Sequence, residues 1–428
     1  MKGWKEIPFG DLATFRNGLN FKNDSHGDGC YIIGIPDFQN HFRPEYSTLG
    51  QINPLGIVKD QDYLEKGDIL FVRSNGNKDL VGRSLFIDKS IKAVFSGFCI
   101  RARIESEKAI PLFIAYFTRT SDFRSLISAG AGGANIQNLN QGILSRVKIN
   151  LPPLPTQRKI AAILSAYDDL IENNLKRIKL LEEKAQLTYE EWFVRMKFPG
   201  YESMVFEEVN LNDLALYFGR GVTPQYEEGS GFWGINQKAN KGSNLEKSHF
   251  KEYKKGDWVP SERFAKNGDV LLNSLGEGTI GRCHYYKWES DVYPVDQHMT
   301  IFRGKSPEIS LFIYHLLASE QGQGILNSLK KGGTNMTMLN IGDLRTIKVN
   351  VPKAEILRDF YEKVEILFNQ KSNLEYQNQL LKEARDILLP RLMTGMIDVD
   401  SLDLSAFEKG DQEEMLMAAE SKGGYKKD

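Results

Sequence analysis

The chain has 428 residues, enough for two or more hydrophobic cores, and its 41% hydrophobic and 26% charged content excludes an intrinsically disordered protein. The net charge is −1, but residues 398–428 hold nine acidic and four basic side chains, a net of −5 that leaves +4 for the rest. The chain is therefore no basic polyelectrolyte, and any affinity for nucleic acid must come from local patches.

The N-terminal stretch "MKGWKEIPFGDLATF" has no apolar segment that would serve as a signal peptide. No run approaches the roughly 18 apolar residues of a membrane span. Cys30, Cys99 and Cys283 are too few and too widely spaced for a disulfide framework or a zinc pattern. The expectation is a cytoplasmic protein without membrane contact. The first half then runs through "DILFVRS", "RSLFID" and "AVFSGFCIRARI", short β-branched and aromatic runs between Gly- and Asn-rich turns, which predict strands. "PLFIAYFTRTSDFRSLISAG" predicts one or two helices.

From Gly132 onward the sequence begins to echo itself. "GGANIQNLNQGILSRVKINLP" at Gly132 is answered 200 residues later by "GGTNMTMLNIGDLRTIKVNVP" at Gly332. Upstream, "KGDILFVRSNGNKDLVGRSLF" (66–86) is answered by "NGDVLLNSLGEGTIGRCHYY" (267–286), and "DLATFRNG" (11–18) by "DLALYFGRG" (213–221). A fixed-offset repeat is the mark of a duplicated structural unit. The fold class is therefore α+β, internally duplicated.

Each half ends in a long segment without internal glycine. In the first, heptad position a is Leu164, Ile171, Ile178 and Ala185, and position d is Ile160, Tyr167, Asn174 and Leu181. In the second, roughly 354–389, position d is Phe360, Leu367, Leu374, Leu381 and Leu388, and position a is Leu357, Val364, Lys371, Asn378 and Arg385. Neither seam is apolar enough for a strong coiled coil alone, and the simplest solution packs the two helices together, with the polar positions setting register. Two separate amphipathic helices, each lying on its own domain, are the alternative.

"GEGTIGR" (276–282) fits the G-x-G-x-x-G spacing of a dinucleotide loop through Gly276, Gly278 and Gly281. Such a loop opens a helix, whereas "RCHYYKW" behind this one has strand character. In the first copy only Gly82-Arg83 persists, matching Gly281-Arg282, so a hairpin turn is predicted. A Walker A loop fails because Arg282-Cys283 stands where Lys-Ser/Thr is required. "LPPLP" lacks the polar residue of a methyltransferase [N/D]-P-P-[Y/F] loop, the six histidines are scattered, and a metal site at "DQHM" (296–299) is disfavoured because "SGFC" stands opposite.

"LPPLPTQRKIAAILSAYDDLIENNLKRIKLLEEKAQLTYEEWF" followed by "FPG", together with "LLPRLMTGMIDV", the early "GDLATFRNG" and the GG-x-N-x-x-x-L stretch before each helix, resembles the specificity subunits of type I restriction–modification enzymes. The resemblance runs from Trp4 to about Val399. It implies two target recognition domains separated by two long helices packed as an antiparallel coiled coil with pseudo-twofold symmetry. The expected boundaries are 1–152 and 198–352 for the recognition domains, 153–197 and 353–395 for the spacer helices, and 396–428 for an acidic tail. It implies a non-catalytic subunit that binds double-stranded DNA with a bipartite target, one half-site per domain. Two adenine methyltransferase subunits and restriction/translocase subunits would be its partners. No cofactor is expected on this chain; S-adenosylmethionine, ATP and Mg belong to those partners. A chain with its own methyltransferase activity and a coiled-coil protein adaptor are the alternatives.

Base reading needs Arg, Lys, Asn, Gln or Ser on loops that reach a groove. The turns after the two "GD-[IV]-L" strands offer Arg73, Ser74, Asn75, Asn77 and Lys78 in the first half, and Asn273 and Ser274 in the second. Arg83 and Arg282 are candidate phosphate anchors, as are Asn135 and Asn335 of the two Gly-Gly stretches. "RNGLNFKND" and "RGVTPQY" add Arg16, Lys22, Arg220 and Gln225. Half-sites read from one DNA face tend to lie near one turn apart, so an unread gap of roughly five to eight base pairs is expected.

Overall fold

The computed structural model describes residues 3–21, 26–38, 41–77, 80–130, 138–198, 201–203, 205–276, 278–332 and 337–402. Two compact units emerge: Met1–Glu172 with Asn378–Asp428, and Asn173–Gln377.

The first unit contains β1 (Lys5–Pro8), β2 (Ala13–Asn17), β3 (His26–Ile33), β4 (Gly50–Ile52), β5 (Ile69–Val72), β6 (Ser84–Phe86), β7 (Ala93–Phe95), β8 (Cys99–Ile104), α1 (Pro111–Phe117), α2 (Ser121–Gly130), α3 (Gln141–Arg146), β9 (Lys148–Leu151) and the beginning of α4 (Leu154–Tyr189). Its main sheet is antiparallel with the order β2-β8-β5-β6; a second sheet runs β4-β3-β7, and β1 pairs with β9. All of β5 is buried because the strand is covered on both faces. Ile69 and Phe71 enter the core shared with α1, while Leu70 and Val72 enter the one beneath Ile33, Leu85 and Phe95.

The second unit repeats the plan with β10 (Glu207–Asn210), β11 (Ala215–Arg220), β12 (Trp233–Gly234), β13 (Lys251–Glu252), β14 (Val270–Asn273), β15 (Cys283–Tyr285), β16 (Met299–Gly304), α5 (Pro307–Ala318), α6 (Glu320–Ser328), β17 (Lys330–Lys331), β18 (Met338–Leu339), α7 (Ile341–Arg345), β19 (Lys348–Val351) and most of α8 (Ala354–Met393). Its main sheet has the order β11-β16-β14-β15 and is also antiparallel. The "GD-[IV]-L" repeat has a physical cause. Gly67 and Gly268 turn with φ +99 and +92, positions that favour glycine. The buried Asp68 and Asp269 accept bidentate bonds from Arg103 and Arg303, each at 2.8 Å. Cap residues repeat as well: Thr120 and Ser319 bond the Phe123 and Gly322 amides at 3.1 Å each.

"GEGTIGR" is a hairpin turn between β14 and β15. Gly276, Gly278 and Gly281 have φ +102, +76 and +91, and the Ile280 amide donates back to Gly276 O at 3.1 Å. No helix follows it.

Within each unit the two long helices pack antiparallel. In the first, Asp168 meets Arg385 and the Ile171 carbonyl accepts from Asn378 at 3.4 Å. In the second, Lys371 meets Glu182 at 2.9 Å and Tyr189 meets Phe360 at 6.2 Å between ring centroids. Of the expected seam, Ile160, Leu164, Ile171, Ile178, Phe360, Val364, Leu367 and Leu374 are buried, and Tyr167, Leu181, Leu381 and Leu388 half-buried. The alternative of helices lying separately on their own domains fails on these contacts. Helix α4 ends in a π-helical turn, Glu190–Val194, and α8 runs to Met393, past the expected end near 389.

One boundary moves. The expected tail from residue 396 begins as part of the first unit. Val399 is 1% exposed in that core, Thr156 Oγ1 donates to Asp400 Oδ1 at 2.9 Å, and Lys159 Nζ reaches the carbonyls of Val399, Asp400 and Leu402 at 3.3, 3.1 and 3.0 Å. An ammonium with three carbonyl acceptors holds this segment against α4.

Candidate nucleic-acid interface

At one end of the first unit's main sheet, four chain segments converge. The turn after β5 is anchored by Arg73, whose amide donates to Phe98 O at 2.7 Å and whose carbonyl accepts from the Leu139 amide at 2.8 Å. Ser74 bridges to Asn138, and Leu19, just past β2, bridges to Ser96. Asn75 Oδ1 accepts the Asn77 amide at 2.7 Å, a tight Asx turn. Gly18 is required here: a Cβ would meet Ser96 O at 2.1 Å.

The second unit ties the same knot. Ser274 and Leu275 amides donate to His298 O at 2.9 and 3.1 Å, and Leu339 N donates to Ser274 O at 2.9 Å. Val222 bridges to Asp296, and a Cβ on Gly221 would meet Val295 O at 2.1 Å.

The knots sort the expected site residues. Arg73, Ser74 and Asn75 are half-buried on the first knot, and Asn77 is exposed at its tip. Arg16 instead lies within β2 and is bound to the buried Asp62, its Nε and Nη2 reaching Oδ1 at 2.9 and 2.6 Å. Arg220 sits at the second knot, with Nη2 on Leu339 O at 2.6 Å and burial lowering its pKa from the ordinary arginine value. Gln225 is exposed; Arg83 and Arg282 are half-buried beside their glycines, with Arg282 Nη2 on Gly278 O at 3.1 Å.

Asn273 and Ser274 require a correction. Both are 0% exposed. Asn273 Nδ2 donates to Gln237 O at 2.9 Å and its Oδ1 accepts from Asn240 at 3.0 Å, while Ser274 Oγ is 2.6 Å from Thr300 Oγ1. Their polar atoms complete the turn and offer nothing to an outside ligand. Lys22, Lys78, Asn135 and Asn335 lie outside the described residues.

Two residues escaped the sequence reading. Phe98 is 57% exposed at the first knot. At the equivalent place His298 stands with its imidazole Nδ1 against the buried Asp296 carboxylate, which also accepts the His298 amide at 2.8 Å and the Tyr253 hydroxyl at 3.3 Å. The signal available was the alignment of "SGFC" with "DQHM". A ring stands in this strand-to-strand turn in both copies, exposed for Phe98 and half-buried for His298, and the two residue types are unlike. Near the second knot, Tyr226 is also exposed, and 238–255 carries Lys238, Lys241, Lys247, Lys251, Lys254 and Lys255. An aromatic face beside lysines suits bases and phosphates together.

Among the described residues no group of three or more His, Cys, Asp or Glu side chains comes together as a metal site, and no helix is long and apolar enough to cross a membrane. The three cysteines are free and buried; burial pushes the Cys99 and Cys283 thiols up to about 12.

A twice-built α+β module whose two long helices pair in each unit defines the class. The sequence model of the type I restriction modification DNA specificity domain matches residues 1–183 and 205–387, and the chain belongs to that family. Among curated relatives, the MjaIX specificity subunit of Methanocaldococcus jannaschii is 27% identical over 70% of this chain and 72% of its own length. The HindI specificity subunit of Haemophilus influenzae is 23% identical over 93% of this chain and 100% of its own. The match to the StySPI specificity subunit of Salmonella potsdam, 27% identical, spans 42% of this chain and 40% of that one. Among solved structures, the type I restriction–modification S subunit from M. genitalium shares the fold at 16% identity and a TM-score of 0.53, over 91% of this chain and 96% of that one.

Proposed function

We propose that the chain is the DNA-sequence-recognition subunit of a type I restriction–modification system, acting in the cytoplasm. Each unit reads one half of a bipartite duplex target through its four-segment knot. The observation that carries this reading is the repetition of the knot with different chemistry at its tip. Arg73, Asn75, Asn77 and Phe98 stand in the first unit, and His298, Gln225 and Tyr226 in the second. Arg and Asn read base edges, and a phenyl ring contacts a thymine methyl or stacks. A common frame with unlike tips is what two different half-sites require.

The chain supplies specificity and no methyl transfer. Two adenine methyltransferase subunits would dock on its helices, and restriction/translocase subunits would join them; S-adenosylmethionine, ATP and Mg would be held by those partners. Exposed apolar side chains on the helices support such docking: Leu170, Leu180 and Leu187 on α4 are 51%, 63% and 53% exposed, and Ile366 and Ile387 on α8 are 57% and 55%. The experiment compares methyl transfer from labelled S-adenosylmethionine to duplex DNA by the purified chain and by the chain co-purified with an adenine methyltransferase. Only the complex should transfer methyl groups. Transfer by the chain alone, or a complex that ignores DNA sequence, would overturn the proposal.

A further inference from the structure

We infer that a cleft in the first unit seats a phosphate group. The cleft holds about 400 Å³, and its lining brings together His41, Arg83, Ser84, Thr118, Arg119 and Arg124, with no carboxylate among the described residues. The inference rests on the proposed DNA reading for one of two sources of that phosphate: a phosphodiester of the DNA backbone, or a free phosphate such as that of a nucleotide.

Three features build the cleft. Gly82, at φ +84, lets α2 close on the turn after β5, since a Cβ there would meet Ile127 Cδ1 at 2.4 Å. That approach places Arg83 beside Arg124, whose guanidinium donates to the Val81 carbonyl. Arg119 has uncharged partners in direct contact: Nη1 donates to His41 O at 3.0 Å, and the guanidinium lies 5.4 Å from the Phe42 ring centroid. Arg119 enters no ion pair within 4.0 Å among the described residues, and burial works against its charge. Asp168 and Asp386 favour that charge only from beyond ion-pair distance, and a half-buried cation with no carboxylate in direct contact lowers its free energy by binding an anion. The first turn of the ten-residue α2 adds its positive end on the same side.

The second unit lacks this cluster. Aligning "LFIAYFTRTSDFR" (112–124) with "LFIYHLLASEQGQ" (311–323) sets Ala318 at the place of Arg119, Gln323 at that of Arg124 and Glu320 at that of Ser121. Gln323 keeps the structural bond, Nε2 to Gly281 O at 3.0 Å, but brings no charge. Both units thus tie this helix to the turn, through neighbouring carbonyls of the repeat, and the additional arginines belong to the first.

The test uses the full chain as wild type, Arg119→Ala and Arg119→Lys. Affinity for a mixed-sequence duplex is measured across a salt series, and inorganic phosphate is titrated calorimetrically. Thermal unfolding controls for folding. Losing one charge-assisted contact should weaken duplex binding by roughly tenfold and reduce the salt slope by about 0.9, while Arg119→Lys keeps most of the slope. Duplex binding by Arg119→Ala with unchanged affinity and slope, and no phosphate heat in the wild type, would overturn the seat while leaving the DNA reading intact. Equal loss in the Ala and Lys variants would mark a packing role and also overturn it. A wild type that ignores duplex DNA overturns the DNA reading instead. The seat then stands for free phosphate if inorganic phosphate binds the wild type and not Arg119→Ala, and falls otherwise.

Discussion

The two units fasten their helix ends with different chemistry at equivalent places. In the first, the buried Asp168 accepts from Tyr116 Oη at 2.7 Å and from Arg385. At the offset of 200, the second unit has Phe368 in place of Asp168 and Ala185 in place of Arg385. There Phe368 packs on the rings of Tyr285, Tyr314 and His315 at 5.1, 5.7 and 5.8 Å. The second unit places its buried charge elsewhere. Lys371, 5% exposed, contacts Glu182 at 2.9 Å and Glu375 at 3.5 Å, where the first unit has Ile171. Both ends share an apolar seam, and each adds a buried charge pairing that the other cannot complement. Buried ion pairs contribute little net stability, but a mismatched one is costly. The difference therefore specifies which helix end pairs with which.

The largest effect comes from breaking one fastening. Asp168→Ala leaves the Tyr116 hydroxyl without its acceptor and Arg385 with only the exposed Asp386 as counter-charge, and we expect the first unit to lose about 3 kcal/mol, with the second unchanged. Hydrogen–deuterium exchange reads the two units separately. Combining it with Arg385→Ala should recover part of the loss, and equal protection loss in both units would refute local fastening.

A smaller effect sharpens the comparison through pH. Where Tyr116 stands in the first unit, the second has His315, and it also buries His284. Burial lowers both imidazoles from 6.5 to about 3. The unfolded chain takes up these protons near pH 6.5 and the folded unit does not, so their stabilisation is complete above 6.5 and is lost as pH falls toward 3. At pH 5 each costs up to about 2 kcal/mol. Glu375 opposes this in part: its burial raises its pKa against the pull of Lys371, so its protonation favours the folded form. We expect the second unit to open first on acidification, and His315→Phe to narrow the gap. Simultaneous opening of both units would contradict the assignment.

Much of the frame was legible because it is periodic or repeated. The unbroken apolar run of β5, the Gly-Asp turn and the seam all follow local spacing. Asn273 and Ser274 misled because a polar turn looks the same whether its side chains face solvent or, as here, find Asn240 and Thr300 far along the sequence. The Val399–Lys159 clasp joins residues 240 apart, beyond the reach of any periodicity. Phe98 and His298 already stand opposite each other in "SGFC" and "DQHM" but share no chemistry, so only the fold shows both as rings at the two knots. The arginine cleft draws on His41, Arg83 and Arg119, three segments that only the sheet and α2 bring together.

The claim that each unit reads its own half-site is tested most directly by exchange. The turn Arg73–Asn77 is replaced with that of a relative, the chain is expressed with the proposed adenine methyltransferase, and methylated adenines are mapped by sequencing. Loss of a base contact costs about 1–3 kcal/mol at the position it reads. The account expects altered preference in one half of the target and an unchanged second half at an unchanged spacing. Altered preference in both halves, or in neither, would contradict it.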